Sequence, residues 1–507
     1  MSPAFVLSCI LGYFGFLLLI AWITSRNATS ASYFLGNKAS PWIAVAFGLI
    51  GDSLSGVTFI SVPGQVGTNQ FSYLQIVLGY VLGYVVIAQV LLPLYYRLNL
   101  TSIYSYLRTR FGPFAQKSGS FFFLLSRTAG AAARLYLAAS VIHPFLFDRW
   151  LLFGVWKVPF WATVTTIILL MLVYTLKGGI KTLVWTDTFQ STFLLLGVVL
   201  SITAIAGELN LGFGEIISSV WQSDYSRVFF WDWQEPKYFW KQFVSGAFIA
   251  IVMTGLDQNM MQKNLSCRSL GDAQKNIYAF SLVMLLVNVL FLSLGALLYL
   301  YAKAKGVEVP KNTDQLFPLL ALQHLGSFAA VVFLAGLTAA TFSSADSVLT
   351  TLTTSFCIDL MEMDQKKAWT EERRISLRRQ VHFGFAALLL AVILGLAALA
   401  KGEAVIQIIL NLAGYTYGPL LGLFAFGLLH KRRVQDGLVP VVCVLSPILS
   451  YVLNANSQAW FGGYKFGFEL LMVNGLFTYI GLWVIVRQTG DQSGAPWPGS
   501  PRNQSDR

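Results

Sequence analysis

The amino-acid sequence predicts an all-α polytopic membrane protein with about 13 transmembrane helices. Of its 507 residues, 56% are hydrophobic and only 11% are charged, whereas a soluble protein of this length carries roughly 25% charged residues. Apolar runs that approach the ~20 residues needed to cross ~30 Å of hydrocarbon recur along the whole chain. These runs, numbered here as spans 1 to 13, are 5–23, 42–62, 71–95, 119–145, 157–177, 186–206, 239–260, 277–302, 328–360, 379–400, 403–429, 437–453 and 467–486.

The first and twelfth runs need separate comment. No Lys or Arg precedes span 1 and no small-residue cleavage site follows it, so we expect it to remain as a span rather than act as a cleaved signal. Span 12 is shorter than the others and contains Pro440 and Pro447, which makes it the least typical membrane helix of the set.

The placement of the positive charge predicts the topology. If the N-terminus lies outside, twenty Lys and Arg residues, Lys263 among them, fall in inner loops and ten in outer loops. The positive-inside rule therefore predicts an outer N-terminus and a cytoplasmic C-terminus in a cell membrane (inner or plasma). Because topology accounts for the net charge of +12 and no base-reading motif is present, the sequence indicates no nucleic-acid partner. It also shows no obligate protein partner.

The residues argue against two kinds of protein, one held by a disulfide or metal framework and one that acts as a hydrolase. The four cysteines, Cys9, Cys267, Cys357 and Cys443, have no paired spacing, which argues against a disulfide or metal framework. The letters GDSL at 51–54 match the nucleophile motif of a lipase family, but that family needs a soluble α/β core and an Asp-x-x-His sequence. None of the four histidines has an Asp three residues before it. We therefore predict that the protein is not an enzyme.

Span 2 is expected to be interrupted near its middle. Its sequence AFGLIGDSLSGVTFISVPG is rich in glycines and hydroxyls and contains Asp52. Such a segment is poorly suited to lipid contact but suited to an unwound stretch with free carbonyls, which membranes tolerate only at a cavity or a packed site. Close helix packing is an alternative explanation for the glycines, but it leaves Asp52 unexplained.

Span 9 carries a hydroxyl stripe and a carboxylate at mid-membrane depth. Ala340, Ser343, Ser344 and Ser347 share one helix face, and Asp346 follows Ser343 by three residues. Hydroxyl and carbonyl oxygens are hard ligands, and about five of them with low total charge suit Na⁺. The alternative is that these hydroxyls bond to carbonyls one turn earlier and bend the helix. That alternative does not explain Asp346, because intramembrane carboxylates usually serve a pathway or a site.

Three further charged residues fall within predicted spans. Asp187 lies just inside span 6, where it is either a partner of the helix dipole or a candidate cation ligand. Arg127 and Arg134 are seven residues apart in span 4 and therefore share a face. Asp346, Asp187 and a substrate anion are the partners considered for these arginines.

Four ordered motifs resemble the sodium:solute symporter family, which includes sodium/glucose, sodium/proline, iodide and sialic acid transporters. They are SYFLGNKASPW before span 2, GGIKTLVWTDTFQ at span 6, the Ser-Ser of TFSSADSVLTTLTTSFCIDL in span 9, and YTYGPLLGLFAFGLLHKR from Tyr415. The resemblance covers nearly the whole chain. It implies a LeuT-type fold of two inverted five-helix repeats, whose first spans run in opposite directions as the charge placement requires.

The resemblance also implies a division of the chain. The expected segments are a peripheral first span and inner loop (1–41), a first repeat of spans 2 to 6 (42–206), an outer loop (207–238), a second repeat of spans 7 to 11 (239–429), peripheral spans 12 and 13 (430–488) and a disordered cytoplasmic tail (489–507).

Carried over residue by residue, the resemblance implies three groups of binding residues. The main sodium site would use the carbonyls of Gly51, Leu54 and Ala340 and the hydroxyls of Ser343 and Ser344. A second cation or coupling site would use Asp187, Asp346 and Ser347, although the usual pattern has a hydroxyl where Asp346 stands. The substrate site would be lined by Ser53, Ser55, Thr58, Gln75, Arg134 and Tyr415.

These residues predict a sodium-coupled symporter that imports a small polar organic solute by alternating access, with Na⁺ as the coupling ion. Hydroxyls beside an arginine suit a sugar acid or small carboxylate, and they suit a neutral sugar if Arg134 pairs with Asp346. Proton coupling through Asp52, Asp187 or Asp346 is the alternative within transport. A transporter-fold sensor would be expected to carry a long soluble domain after span 13, where about twenty residues follow.

Overall fold

The computed structural model describes residues 3–24, 33–34, 36–147, 151–152, 156–366, 368–399 and 405–487. Most of these residues are helical, and strands β1 (Leu151–Leu152) and β2 (Trp156–Lys157) form one short antiparallel pair. The predicted all-α class therefore agrees with the described structure. The predicted disordered tail, 489–507, lies outside the described residues.

The helices follow one another along the chain as a series of long and short segments. They are α1 (Pro3–Thr24), α2 (Trp42–Ser53), α3 (Gly56–Gly64), α4 (Val66–Asn69), α5 (Tyr73–Val86), α6 (Leu92–Arg97), α7 (Ser105–Arg110), α8 (Pro113–Phe147), α9 (Phe160–Glu208), α10 (Phe213–Trp221), α11 (Phe239–Ala250), α12 (Gln258–Asn264), α13 (Leu270–Lys305), α14 (Leu316–Leu319), α15 (Gly326–Ser355), α16 (Glu371–Leu399), α17 (Val405–Thr416), α18 (Gly418–Leu429), α19 (Val439–Trp460) and α20 (Leu470–Val484). Single π-helical turns join α5 to α6 and extend α11, α14 and α15.

Each predicted span coincides with a helix or helix pair, but the number thirteen is not confirmed. By length and composition, six helices of the described part can cross a membrane, or nine if each bent pair counts as one span. Spans 5 and 6 both lie within α9, which is interrupted at Gly179, where φ of 54° and ψ of −150° leave helical geometry. Span 12 is longer than predicted, because α19 continues to Trp460. Its Pro440 lies in the first turn, where an N–H would have no acceptor within the helix.

Two of the bent pairs lie at the first spans of the two predicted repeats. The axes of α2 and α3 differ by 56° and those of α11 and α12 by 67°. In the first pair Leu54 and Ser55 leave helical geometry, with ψ angles of 76° and 173°. A break leaves carbonyl and N–H groups without helical partners at mid-depth. The sequence predicted the break in span 2, whereas the break in span 7 was not predicted.

Helix α15 lies at the centre of the bundle. Of its most apolar window, 83% of residues are buried within the protein, compared with 22% for the window of α16. The second half of α9 packs between α15 and α2, and its side chains bond to the backbone of α2. Thr188 Oγ1 donates to the Ala44 carbonyl at 3.0 Å, and Ser191 Oγ donates to the Phe47 carbonyl at 2.5 Å.

Helices α5 and α11 approach each other through glycines. A Cβ at Gly79 would overlap the Phe243 carbonyl oxygen and lie 2.9 Å from the Ala247 nitrogen. Across the same contact, a Cβ at Gly246 would overlap the Ile76 carbonyl oxygen. Small residues therefore permit backbone contact between α5 of span 3 and α11, the first half of the broken span 7, as is common between membrane helices.

We expect Gly79→Ala to destabilise the protein by about 1–3 kcal/mol, because the added methyl group cannot fit unless the two helices separate. Thermal unfolding of the purified protein in detergent would show a lower midpoint. Gly395→Ala in α16 is the matched control, since a Cβ there meets open space. Equal midpoints for the two variants would contradict the close approach of α5 and α11.

Candidate functional site

A buried lysine connects four helices at the centre of the bundle. Lys263 lies on α12 and is fully buried, as are Asp52, Asp187 and Ser347. Its Nζ lies 2.6 Å from Asp52 Oδ2 and 2.9 Å from Ser347 Oγ, and it also bonds to Asp187 Oδ2. The three protons of the ammonium therefore meet three oxygens. A charge buried within a membrane bundle requires such partners, because desolvation without them costs several kcal/mol.

The sequence assignment of Lys263 to an inner loop was wrong, because α12 continues the broken span 7 into the bundle. The signal that could have revealed it is the run DQNMMQKN after span 7, whose polar residues are all buried in the structure. In the predicted division, the run holds the position in the second repeat that the Asp52 segment holds in the first, so the predicted repeat symmetry could have indicated a second interrupted span.

Asp187 is the shared partner of two hydroxyls from α15. Its Oδ1 accepts a hydrogen bond from Ser343 Oγ at 3.2 Å, and its Oδ2 accepts one from Ser347 Oγ at 3.1 Å. Two of the three residues predicted for the second cation site, Asp187 and Ser347, are therefore together beside Lys263. The third, Asp346, accepts the backbone N–H of Ser347 at 2.6 Å through Oδ1.

The residues predicted for the main sodium site lie where α15 crosses the break after α2. Ser343 Oγ packs against Gly51 so closely that a Cβ there would overlap it, and a Cβ would lie 2.7 Å from Ser191 Oγ. Ser344 Oγ lies 3.2 Å from the carbonyl of Ala340 and donates back to its own helix, which is the alternative considered from the sequence. Leu54 lies in the break itself, with its N–H bonded to the Ile50 carbonyl.

A cavity of about 100 Å³ lies beside this junction, and it has polar and aromatic walls. Four of the six predicted substrate residues line it, and these are Ser53, Ser55, Thr58 and Arg134. Asp52, Arg127, Tyr73, Tyr80, Tyr84, Thr254 and Asn288 complete its polar lining.

Arg134 differs from the other charged residues of the lining. It is buried, and its Nε and Nη1 atoms have no hydrogen-bond partner among the described residues. Asp52 Oδ1 and Asn288 Oδ1 are likewise without a partner in the described part of the chain. The cavity therefore presents a guanidinium group, a carboxylate oxygen and an amide oxygen whose bonding capacity is not used within the protein.

The structure places Gln75 and Tyr415 outside this lining. Gln75 Nε2 donates to the Lys237 carbonyl at 2.9 Å, and its Oε1 accepts the N–H of Phe230 at 3.3 Å. The side chain thus fastens the loop between α10 and α11. The Tyr415 hydroxyl accepts a 2.8 Å hydrogen bond from Asn454 on α19.

Arg127 pairs with Asp257, a residue that was not among the partners predicted for it. Arg127 Nε lies 2.6 Å from Asp257 Oδ2, which also accepts the hydroxyl of Tyr417 at 2.5 Å. The other oxygen of Asp257 caps α12 by accepting the N–H of Met260 at 3.2 Å. Asp257 therefore joins α8, the break before α12 and the bend between α17 and α18.

A helical bundle with two interrupted spans, paired intramembrane charges and a polar cavity at the breaks is the architecture of an ion-coupled membrane transporter. The sequence profile of the sodium:solute symporter family matches residues 33–440. The chain belongs to the sodium:solute symporter family. It is a sodium-coupled symporter of small organic solutes and not an enzyme, so the GDSL motif at 51–54 is not a hydrolase signature here.

Similar proteins have related functions. The chain is 25% identical over 478 residues to the sodium/sialic acid symporter NanT of Aliivibrio fischeri, covering 92% of this chain and 91% of that protein. It is 29% identical over 422 residues to sodium-coupled monocarboxylate transporter 1 of Mus musculus, covering 81% of this chain and 66% of that protein.

The fold is shared with solved transporters. The structure of a Na⁺-coupled sialic acid symporter in a substrate-bound, outward-open state matches with a TM-score of 0.79 at 22% identity, covering 95% of this chain and 99% of that chain. A nucleobase-cation-symport-1 family transporter in a closed conformation matches with a TM-score of 0.55 at 14% identity, covering 90% and 93%. The predicted LeuT-type fold is confirmed by these likenesses.

We expect Tyr417→Phe to destabilise the protein by about 1.5–3 kcal/mol, because it removes a hydrogen bond to a buried carboxylate. Tyr415→Phe is the matched control, since its half-buried hydroxyl bonds only to the neutral amide of Asn454 in the described structure. Thermal unfolding of both variants in detergent measures the difference. A midpoint for Tyr415→Phe equal to or below that of Tyr417→Phe would contradict the role assigned to Asp257.

Proposed function

We propose that this symporter imports a small organic carboxylate and that Arg134 binds the carboxylate group in the central cavity. The observation that supports this proposal is the contrast between two arginines on the same face of α8. Arg127 is paired with Asp257 at 2.6 Å, whereas Arg134 Nε and Nη1 have no partner among the described residues. A buried guanidinium without an anion is costly, and a carboxylate is its best-matched partner.

The names of the similar proteins support the same substrate class. Sialic acid and monocarboxylates, which the names of those relatives give as substrates, both carry a carboxylate. A neutral sugar would leave the Arg134 charge in the cavity without a counter-ion. Ser53 and Thr58 line the same cavity and would bind the hydroxyl groups of a sugar acid. We therefore favour a sugar acid or a short monocarboxylate over a neutral sugar.

We further propose that the coupling sodium binds the carbonyls of Gly51, Leu54 and Ala340 and the hydroxyls of Ser343 and Ser344. Ser343 Oγ donates its proton to Asp187 Oδ1 at 3.2 Å, and the same oxygen lies against Gly51 with its acceptor capacity not used by that bond. The Asp187 carboxylate thereby increases the negative charge on the Ser343 oxygen without binding the ion itself. Groups that accept hydrogen bonds from the ligands of a metal act in the same way. An ion bound there would join the broken span 2 to α15.

Closure of this gap by sodium couples the ion gradient to substrate uptake. One Na⁺ moving inward down a ~100 mV potential supplies ~2.3 kcal/mol before any concentration gradient is counted. That energy corresponds to roughly fiftyfold accumulation of solute, since 1.4 kcal/mol is a factor of ten. We propose that the transporter lies in the cell membrane with its N-terminus outside and its C-terminus in the cytoplasm, as the positive-inside rule predicts. We propose no obligate protein partner.

The proposed repeats are spans 2 to 6 (42–206) and spans 7 to 11 (239–429). Their support is that the first span of each contains one of the two sharpest bends among the three bent helix pairs that are long and apolar enough to span a membrane, at α2–α3 and α11–α12. Interrupted helices at equivalent positions of two repeats are the usual place for an ion and substrate site. Residues from both breaks, Asp52 and Lys263, are in contact.

Proton coupling is the second candidate, favoured by Asp52, which lines the cavity and whose buried Oδ1 has no hydrogen-bond partner in the described residues. Uptake by proteoliposomes distinguishes the two. An imposed Na⁺ gradient should drive uptake of the carboxylate at constant pH. Uptake driven by a pH gradient alone, with no response to Na⁺, would establish proton coupling instead.

We expect Arg134→Gln to lower carboxylate affinity about 10- to 100-fold, because hydrogen bonds to a charged group contribute about 1.5–3 kcal/mol. Sialic acid and pyruvate are the probes, and thermal stabilisation of the purified protein in NaCl compared with KCl is the measurement. Lys305→Gln removes an exposed cation beside Glu208 and serves as the control. Unchanged stabilisation of Arg134→Gln by both acids would exclude Arg134 as the carboxylate ligand.

We expect Ser343→Ala with Ser344→Ala to lower the apparent affinity for Na⁺ by at least about tenfold, since two of five oxygen ligands are lost. The control pair is Thr166→Ala with Thr203→Ala, whose exposed hydroxyls bond to carbonyls of their own helix α9. The Na⁺ dependence of uptake measures the effect. If both pairs show the same Na⁺ dependence, the sodium site lies elsewhere.

A further inference from the structure

We propose that Lys263 supplies a permanent internal cation at the predicted second cation site, so that the transporter binds a single Na⁺ in each cycle. The part of this inference that concerns the one bound Na⁺ rests on the sodium site proposed above. It concerns a residue that the sequence assigned to a loop and that the structure places at the junction of both interrupted spans.

The geometry shows that the ammonium takes the place an ion would need. Lys263 Nζ bonds to Asp52 Oδ2, Asp187 Oδ2 and Ser347 Oγ. Ser347 Oγ lies a further 3.1 Å from Asp187 Oδ2, so the three oxygens form one compact group around Nζ. A hard cation would use these same carboxylate and hydroxyl oxygens. All four side chains are fully buried, so Lys263 excludes a second ion from this group.

The charges in contact explain why one further cation is needed and two are not. Asp52 and Asp187 together carry two negative charges, and Lys263 neutralises one of them. The remaining negative charge lies next to the proposed sodium site, because Asp187 accepts the hydroxyl proton of Ser343. The nearby Arg127 contributes no excess charge, since it is compensated by Asp257. For the carboxylates in direct contact with Lys263, a count that does not include Asp346 or Arg134, one Na⁺ completes the charge balance.

Removing the ammonium converts its position into a vacant anionic site. In Lys263→Met the side chain keeps its approximate length but loses its charge, which leaves two buried carboxylates and a hydroxyl facing each other. Uncompensated buried charges are unfavourable, so the variant is expected to recruit a second Na⁺. Lys263→Arg keeps the positive charge and is the matched control.

The test is the number of Na⁺ ions bound per chain, measured with radioactive Na⁺ by equilibrium dialysis of the full-length protein in detergent. Sodium alone is the probe, so no substrate is needed. The expected numbers are one for the wild type, one for Lys263→Arg and two for Lys263→Met. Two ions bound to the wild type would overturn the proposal, and so would one ion bound to Lys263→Met that elutes as a folded monodisperse protein.

Two further measurements keep the proposal testable on its own. If Lys263→Met does not fold, Lys263→Gln replaces it, with two ions as the expected number and one as the overturning number. Ser343→Ala with Ser344→Ala should bind its one Na⁺ at least about tenfold more weakly than the wild type. If that double variant binds one Na⁺ with unchanged affinity while Lys263→Met binds two, the location proposed for the sodium site fails and the role of Lys263 is supported.

Discussion

The ion pairs of Lys263 with Asp52 and Asp187 are the constraint around which the bundle is arranged. They bring α2, α9 and α12 to one point, and Ser347 adds α15. None of these groups could remain charged in the membrane interior alone, because each would lose its hydration without compensation. Asp52, just before the break in span 2, meets Lys263, which follows the break in span 7. The breaks therefore bring the opposite charges together, and the need to pair these buried charges accounts for the breaks.

The features that could be predicted from sequence are those that depend on one segment at a time. The spans follow from apolar length, and the break in span 2 follows from glycines and hydroxyls around Asp52. The stripe of Ser343 and Ser344 follows from helical spacing, and its approach to Gly51 agrees with the arrangement that the family resemblance implied. The spans, the break and the stripe need only local composition and a period of 3.6 residues, whereas the approach of the stripe to Gly51 was implied by the family resemblance.

The features that could not be predicted depend on which helix lies beside which. Lys263 follows an apolar span and looks like an ordinary loop cation until α12 is seen to turn back into the bundle. The pairing of Arg127 with Asp257 joins residues 130 positions apart. Gln75 and Tyr415 face a loop and α19 respectively, although both lie on spans near the cavity. Polar residues within a membrane have several satisfactory partners, so composition alone does not decide among them.

The two arginines of α8 show how one helix can serve both structure and transport. They lie two turns apart on one face, and both line the cavity. Arg127 is paired with Asp257, and Asp257 in turn accepts the hydroxyl of Tyr417. Arg134 Nε and Nη1 have no such partner among the described residues, and in the proposed mechanism the substrate carboxylate supplies one. On that proposal the buried charge is more stable with the substrate than without it, so substrate entry would itself favour the loaded state of the cavity.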